Sequence, residues 1–277
     1  LRIRAADGLE LAVSVRDPDG GLATGEGPPL LLLHGFGGSA GAWGEAALAG
    51  LAGWRILAVD LPGHGASDDP AGPGRVALER VLDDLERVLD RAGASACPWI
   101  GYSMGGRIAL AAAVLRPGRV SRVILESASP GIDDPVARAE RRARDEALAA
   151  RIEREGVAAW VEEWERQPLL SCRGGLPAAE RETFLELRRA NRPASLAAWL
   201  RGLGTGVQPS FWSRLPEVHA PALVLTGERD VKFTEIGARM ASAFREAEPV
   251  VVPHAGHTVH REAPRAWAAA VTPFLVG

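Results

Sequence analysis

Pro98-Trp-Ile-Gly-Tyr-Ser-Met-Gly-Gly-Arg-Ile-Ala-Leu110 divides at Ser103. The residues before it, 98–102, read as a short strand, and those after it, 104–115, as a helix. Between them Gly101-Tyr-Ser-Met-Gly105 has the Gly-x-Ser-x-Gly form of a sharp strand-to-helix turn. The glycines flank the serine because so tight a turn leaves no room for side chains beside it. The turn lifts the Ser103 hydroxyl clear of the C-terminal edge of the sheet.

Working outward, strands and helices alternate on both sides of this turn. Residues 1–10 alternate like a strand, and 9–16 and 29–33 read as strands. The second of these is a continuous leucine run, Leu30-Leu-Leu-Leu33, suited to burial on both faces. A glycine-rich loop leads to a helix over about 42–51 and a strand over 54–59. The turn Asp60-Leu-Pro-Gly-His-Gly65 precedes an amphipathic helix over about 76–92, with Val81, Leu85, Val88 and Leu89 on one stripe. A further strand is expected at 120–126. Such alternation builds βαβ units around a parallel sheet.

From Pro130 to about Pro209 the text becomes helical and rich in Arg, Glu and Ala, with breaks near Gly156, Pro168, Gly174, Pro177 and Pro193. This stretch, 130–210, is expected to be a helical cap set into a core formed by 1–129 and 211–277. Strands resume at 222–226 and 248–252, and a last helix starts near Pro264.

The 277 residues suit one such core plus an insertion, and 47% hydrophobic with 24% charged residues can bury a sizeable interior. A formal net charge of −3 with scattered arginines leaves no basic footprint, so nucleic acid is not an expected partner. Cys97 and Cys172 are too few and too differently placed for a disulfide framework, which fits a reducing compartment. The N-terminal alternation is unlike a signal peptide and no run reaches transmembrane length, so a cytoplasmic monomer without membrane contact is expected. Lys232 is the only lysine among 32 basic residues, a codon-level bias that discounts any single arginine as a functional signal.

A serine hydroxyl needs a base. His257, in Gly256-His-Thr-Val-His260, follows the last strand, where a loop can return an imidazole to Ser103; His254 and His260 compete for the role. The same three histidines could be read as a metal cluster, but they lack the His-Glu-x-x-His pattern and sit on a loop, so no metal is expected. An acid after the preceding strand should fix the imidazole tautomer. Asp230 stands there, with Glu228 and Glu126 as alternatives. Leu33-His-Gly-Phe-Gly-Gly38 has the position of a loop that contributes one oxyanion N–H, from Phe36, and Met104 at the helix start supplies the other. His64 reads as structural.

Arg107 lies four residues after Ser103, on the same face of the helix, and a cation there suits an anionic substrate. The plain alternative is a helix arginine paired with neighbouring carboxylates. Gly101-Tyr-Ser-Met-Gly-Gly-Arg-Ile-Ala109, Leu125-Glu-Ser-Ala-Ser-Pro-Gly131, Arg138-Ala-Glu-Arg141, Glu163-Trp-Glu-Arg-Gln-Pro168, Gly227-Glu-Arg-Asp-Val-Lys-Phe233 and Ala255-Gly-His-Thr-Val-His-Arg-Glu262 together resemble the 2-succinyl-6-hydroxy-2,4-cyclohexadiene-1-carboxylate synthases of menaquinone biosynthesis. The resemblance runs from about Leu30 to the C-terminus, cap included.

That resemblance implies an α/β-hydrolase fold: a mostly parallel, doubly wound sheet with a helical cap inserted after the sixth strand. It implies a lyase that eliminates pyruvate from a small tricarboxylate and needs no cofactor. Ser103, Asp230 and His257 match the family's triad. Arg107, Arg141 and Arg188 match the arginines that hold the carboxylates, with Arg142 and Arg189 as the adjacent registers, and Tyr102 and Trp164 match pocket-lining residues. A carboxylesterase or carbon–carbon hydrolase is the second reading, and a small-molecule receptor on the same fold the third.

Overall fold

The computed structural model describes residues 1–18, 27–167 and 176–277. Its centre is an eight-stranded sheet of β1 (Arg2–Arg4), β2 (Glu10–Arg16), β3 (Pro29–Leu33), β4 (Arg55–Val59), β5 (Cys97–Tyr102), β6 (Val120–Glu126), β7 (Ala222–Gly227) and β8 (Ala247–Val252). The spatial order is β1-β2-β4-β3-β5-β6-β7-β8. Strands β3 to β8 pair in parallel, whereas β2 runs antiparallel to β1 and β4. The register sets Leu33 against Gly101 and Tyr102 against Glu126. The C-terminal ends of β3, β5 and β6 therefore lie side by side.

The leucine run explains why β3 is central: Leu30 to Leu33 are all 0% exposed. Its alternate side chains enter opposite layers. Leu31 and Leu33 pack with Val81, Leu85 and Val88 of α2 (Leu78–Arg91), with Ile108 of α3 (Met104–Leu115) and with Met240 of a later helix. Leu30 and Leu32 pack on the other face with Trp43, with Ala47 of α1 (Glu45–Ala49) and with Trp267 and Val271 near the C-terminus. The sheet is thus wound on both faces.

Among the described residues, four α-helices stand between β6 and β7: α4 (Pro135–Glu155), α5 (Val157–Glu165), α6 (Ala178–Arg189) and α7 (Pro193–Leu203). Asp134 caps α4 by accepting the Ala137 N–H at 2.7 Å. Gly156, at φ 84°, turns the chain from α4 into α5, and Pro193 opens α7. These helices have a small core of their own, in which Ile152, Trp160 and Leu196 meet, with Phe36 packed against it from the main body. After β7 come α8 (Val231–Ala243), α9 (Val259–Glu262) and α10 (Pro264–Val276).

Two elements differ from the sequence pattern. The expected helix over 42–51 is a 3-10 turn at Ala40–Trp43 followed by the five-residue α1. Gly44 divides them at φ 72°, and the Arg261 guanidinium occupies the space a Cβ would need. The N-terminal strand is only three residues long, because Gly8 at φ 91° turns the chain into β2. The expected breaks at Pro168 and Gly174, and Cys172, lie outside the described residues. Among those residues, no helix is long and apolar enough to cross a membrane.

Candidate active site

Ser103 sits between β5 and α3 at φ 51° and ψ −107°. A side chain held there stores about 1–3 kcal/mol of strain, which only a rigid surround sustains. The surround is visible: the Ser103 N–H donates to the Glu126 carbonyl at 2.8 Å, and the Arg107 N–H donates to the Ser103 carbonyl at 3.0 Å. A Cβ on Gly105 would lie 2.1 Å from the Leu33 carbonyl oxygen, and one on Gly101 would lie 2.3 Å from that of Gly105. The motif glycines are therefore places where strand and helix backbones touch.

His257 Nε2 lies 3.1 Å from Ser103 Oγ, and its Nδ1 lies 2.6 Å from Asp230 Oδ2. An Nδ1–H donated to the carboxylate leaves Nε2 as the acceptor of the serine proton. The other Asp230 oxygen accepts the Phe233 N–H at 3.3 Å, so one carboxylate both caps α8 and orients the imidazole. Phe233 and Tyr102 approach the ring, with centroids at 4.7 and 5.5 Å. Glu262 accepts the N–H groups of Gly256 at 2.6 Å and Thr258 at 3.0 Å, fixing the backbone on both sides of His257.

The alternatives in the sequence point elsewhere. His254 is exposed beside Glu228 at 3.4 Å. His260 is buried against Glu126 at 2.8 Å, and that carboxylate also accepts the Trp267 indole N–H at 2.9 Å. Neither histidine meets Ser103, neither glutamate meets His257, and the three histidines diverge rather than surround a common point.

A cavity of about 440 Å³ opens above Ser103, with Phe36, Met104 and His257 on its wall. Met104 is the first residue of α3, and the leading N–H groups of a helix have no acceptor within it. Phe36 stands in a loop braced by two buried histidines. His34 donates Nδ1–H to the Gly35 carbonyl at 2.8 Å and accepts the Leu61 N–H at 3.1 Å through Nε2. His64 accepts the Gly37 N–H at 3.3 Å through Nε2. Burial lowers the pKa of both imidazoles, against the Gly35 hydrogen bond and Asp60 charge that raise that of His34, and favours the neutral rings that these hydrogen bonds require.

Arg107, Arg141, Arg188, Tyr102 and Trp164 all line this cavity. Arg107 donates to the Leu203 carbonyl at 3.1 Å and to Gln208 Oε1. Burial, then the positive charge of Arg141, lowers its pKa to about 10. Arg141 pairs with Asp145 at 2.7 Å. Arg188 pairs with Glu165 at 3.2 Å and lies among the rings of Phe184, Trp160 and Trp164, at 5.1, 5.9 and 5.9 Å. Arg142 instead lines a second groove, between α4 and α7, and exposed Arg189 bonds Glu182 at 2.6 Å. Tyr102 is buried with its hydroxyl 2.9 Å from Thr258 Oγ1, so it enters the cavity as a ring wall.

Sequence reasoning passed over several cavity groups. Arg144 and Lys232 add two cations to the wall, and the lone lysine in an arginine-rich chain was the signal that could have found the second. Partial burial and the charge of Arg141 depress the Lys232 ammonium. Behind the wall, Gln208 acts through Arg107 and lay in no motif, and Glu262 closes the Ala255–Glu262 stretch without a role having been read for it. The arrangement can move a proton between a substrate carbon or oxygen and Ser103–His257, and it can hold a polyanion beside them.

Comparison with known proteins agrees with this geometry. The sequence pattern of the alpha/beta hydrolase fold family matches residues 28–264. A Bacillus subtilis (strain 168) protein provisionally named 2-succinyl-6-hydroxy-2,4-cyclohexadiene-1-carboxylate synthase is 38% identical over 99% of this chain and 98% of its own length. The synthase of that name from Klebsiella pneumoniae subsp. pneumoniae is 34% identical over 90% of this chain and 94% of its own. A solved structure of MenH from S. aureus superposes with a TM-score of 0.87 at 30% identity, covering 96% of this chain and 97% of the other. The chain belongs to the α/β-hydrolase fold family and, within it, to the 2-succinyl-6-hydroxy-2,4-cyclohexadiene-1-carboxylate synthases.

Proposed function

We propose that this enzyme eliminates pyruvate from 2-succinyl-5-enolpyruvyl-6-hydroxy-3-cyclohexene-1-carboxylate, giving 2-succinyl-6-hydroxy-2,4-cyclohexadiene-1-carboxylate in menaquinone biosynthesis. The observation that carries this reading is the gathering of Arg107, Arg141 and Arg188 from α3, α4 and α6 onto one cavity above Ser103. The substrate bears three carboxylates, and a small tricarboxylate offers charge at separated points. One cation could bind it, but several forks are needed to fix its rotation. A neutral ester would leave the Arg107 guanidinium, whose acceptors are neutral oxygens, desolvated and without a paired counter-charge.

In this reading His257, oriented by Asp230, takes the Ser103 proton as Ser103 Oγ removes the ring proton next to the succinyl carbonyl. The Phe36 and Met104 N–H groups stabilise the enolate oxygen that develops. As the succinyl carbonyl re-forms, a double bond forms between ring carbons 2 and 3, the double bond between carbons 3 and 4 shifts to carbons 4 and 5, and the bond from carbon 5 to the enolpyruvyl oxygen breaks. The proton held by His257 goes to the leaving group, which departs as pyruvate. The helices between β6 and β7 act as the cap that supplies Arg141 and Arg188. No metal or organic cofactor has a role in these steps.

A crystal structure with the dicarboxylate product bound tests the site. Its carboxylates should lie within hydrogen-bond distance of at least two of Arg107, Arg141 and Arg188, with the ring against Tyr102 and Trp164. Carboxylates directed to bulk solvent, or a product bound outside the cavity, would remove the basis of this reading.

A further inference from the structure

The three cavity arginines differ in what holds them. Arg141 is matched by Asp145 at 2.7 Å and Arg188 by Glu165 at 3.2 Å, both carboxylates. Arg107 is held by two neutral oxygens, the Leu203 carbonyl and Gln208 Oε1. Among the described residues, no carboxylate lies within ion-pair distance of it, and the charge of Asp145, paired with Arg141, reaches it only from farther away.

Both acceptors come from one turn at the end of α7, and that turn is fixed from α4. Asp145 accepts the Gly206 N–H at 3.4 Å, Arg138 donates to the Val207 carbonyl at 3.2 Å, and the Gln208 N–H donates to the Gly204 carbonyl at 2.9 Å. Gln208 is 1% exposed, and its buried Nε2 has no partner among the described residues. A guanidinium offers only donors, so the amide must turn its oxygen to Arg107 and leave its nitrogen unsatisfied. A glutamate of the same length would accept the fork with both oxygens and leave nothing unpaired. For holding Arg107 alone, the amide is the poorer choice.

We propose that Gln208 is a positioning residue that aims the Arg107 fork into the cavity while leaving it without a directly paired carboxylate, so that a substrate carboxylate becomes its counter-ion; this rests on the carboxylate-binding reading above. Arg141 and Arg188 enter the cavity with their charges already shared. Arg107 is then the cation with the most to gain from an anionic ligand, and it stands one turn from Ser103.

The test compares Gln208→Glu and Gln208→Met with the wild-type enzyme, after thermal melts have shown that each variant folds. KM and kcat are read from pyruvate release, and succinate binding is read by calorimetry, with Arg107→Gln as the control that locates succinate at this cation. KM should rise in the order wild type, Gln208→Met, Gln208→Glu. The glutamate should cost about tenfold or more in KM and in succinate affinity, with kcat changed much less. A residue that only braces Arg107 gives the opposite ranking, because glutamate braces it at least as well, and wild-type KM in Gln208→Glu would overturn the proposal. So would wild-type KM in Gln208→Met. If the wild-type enzyme released no pyruvate, the assigned reaction would fail while the succinate ranking still decided the role of Gln208.

Discussion

Asp230 serves two elements with one carboxylate, capping α8 through Oδ1 and holding His257 through Oδ2. Asp230→Asn separates these duties. Asparagine is as good a cap, so the melting temperature should move little. Its amide cannot hold the Nδ1–H tautomer as the carboxylate does, so kcat should fall by roughly 10³–10⁴. Steady-state kinetics beside a thermal melt checks both halves, and near-normal kcat would mean that another acid orients His257. The three candidate triad residues were legible because each sits in a short motif at a strand end, where local sequence sets backbone position. Gln208 was not, because its meaning arises only when segments 101 residues apart meet, and Glu262 was not, because its bonds to the Gly256 and Thr258 N–H groups depend on how the loop folds back. The register of the cap arginines was also dark in the sequence, since adjacent arginines on a polar helix carry no periodic signal. Asp145, four residues after Arg141 and 3% exposed, marks the inner face in the fold.

The strand–turn–helix unit and the loop from His34 to Gly38 fail in different ways when disturbed. Gly105→Ala places a methyl 2.1 Å from the Leu33 carbonyl oxygen, where only backbone can yield. Such overpacking costs about 1–3 kcal/mol or more, and the variant should melt several degrees lower with its activity largely lost. An unchanged melting temperature would mean that β3 and α3 are not in contact there. The His34–His64 brace carries a pH dependence. Both imidazoles have pKa values lowered in the folded state from 6.5, chiefly by burial. Above 6.5 both states are neutral and no linkage arises; as pH falls below 6.5 the unfolded chain takes up protons first, and stability is lost. Each histidine contributes up to about 1.4 kcal/mol per pH unit on that descent. Melting temperatures between pH 7.5 and 5 should therefore fall more steeply for the wild type than for His64→Phe, and parallel curves would show that His64 does not titrate as described. At this scale the leucine run and the serine motif announced the sheet and the elbow. The helix expected over 42–51 was divided instead, because Gly44 adopts a left-handed conformation beside Arg261, a contact from the far end of the chain.

Across the whole molecule a formal net charge of −3 conceals a cavity wall bearing Arg107, Arg141, Arg144, Arg188 and Lys232. Composition alone could not show this, because the cations come from four helices that the sheet edge and the cap bring together. The change of text at Pro130 did disclose that the chain leaves its strand–helix alternation, and helices α4 to α7 follow β6. What the sequence withheld was which cap residues face inward. The central claim is that a serine–histidine–aspartate site of hydrolase form here performs an elimination on a polyanion. It is tested most directly by adding purified enzyme to 2-succinyl-5-enolpyruvyl-6-hydroxy-3-cyclohexene-1-carboxylate and following pyruvate against a neutral p-nitrophenyl ester. One pyruvate per substrate consumed, abolished in Ser103→Ala and accompanied by little ester cleavage, is the expected result. Rapid ester hydrolysis with no pyruvate formed would contradict it.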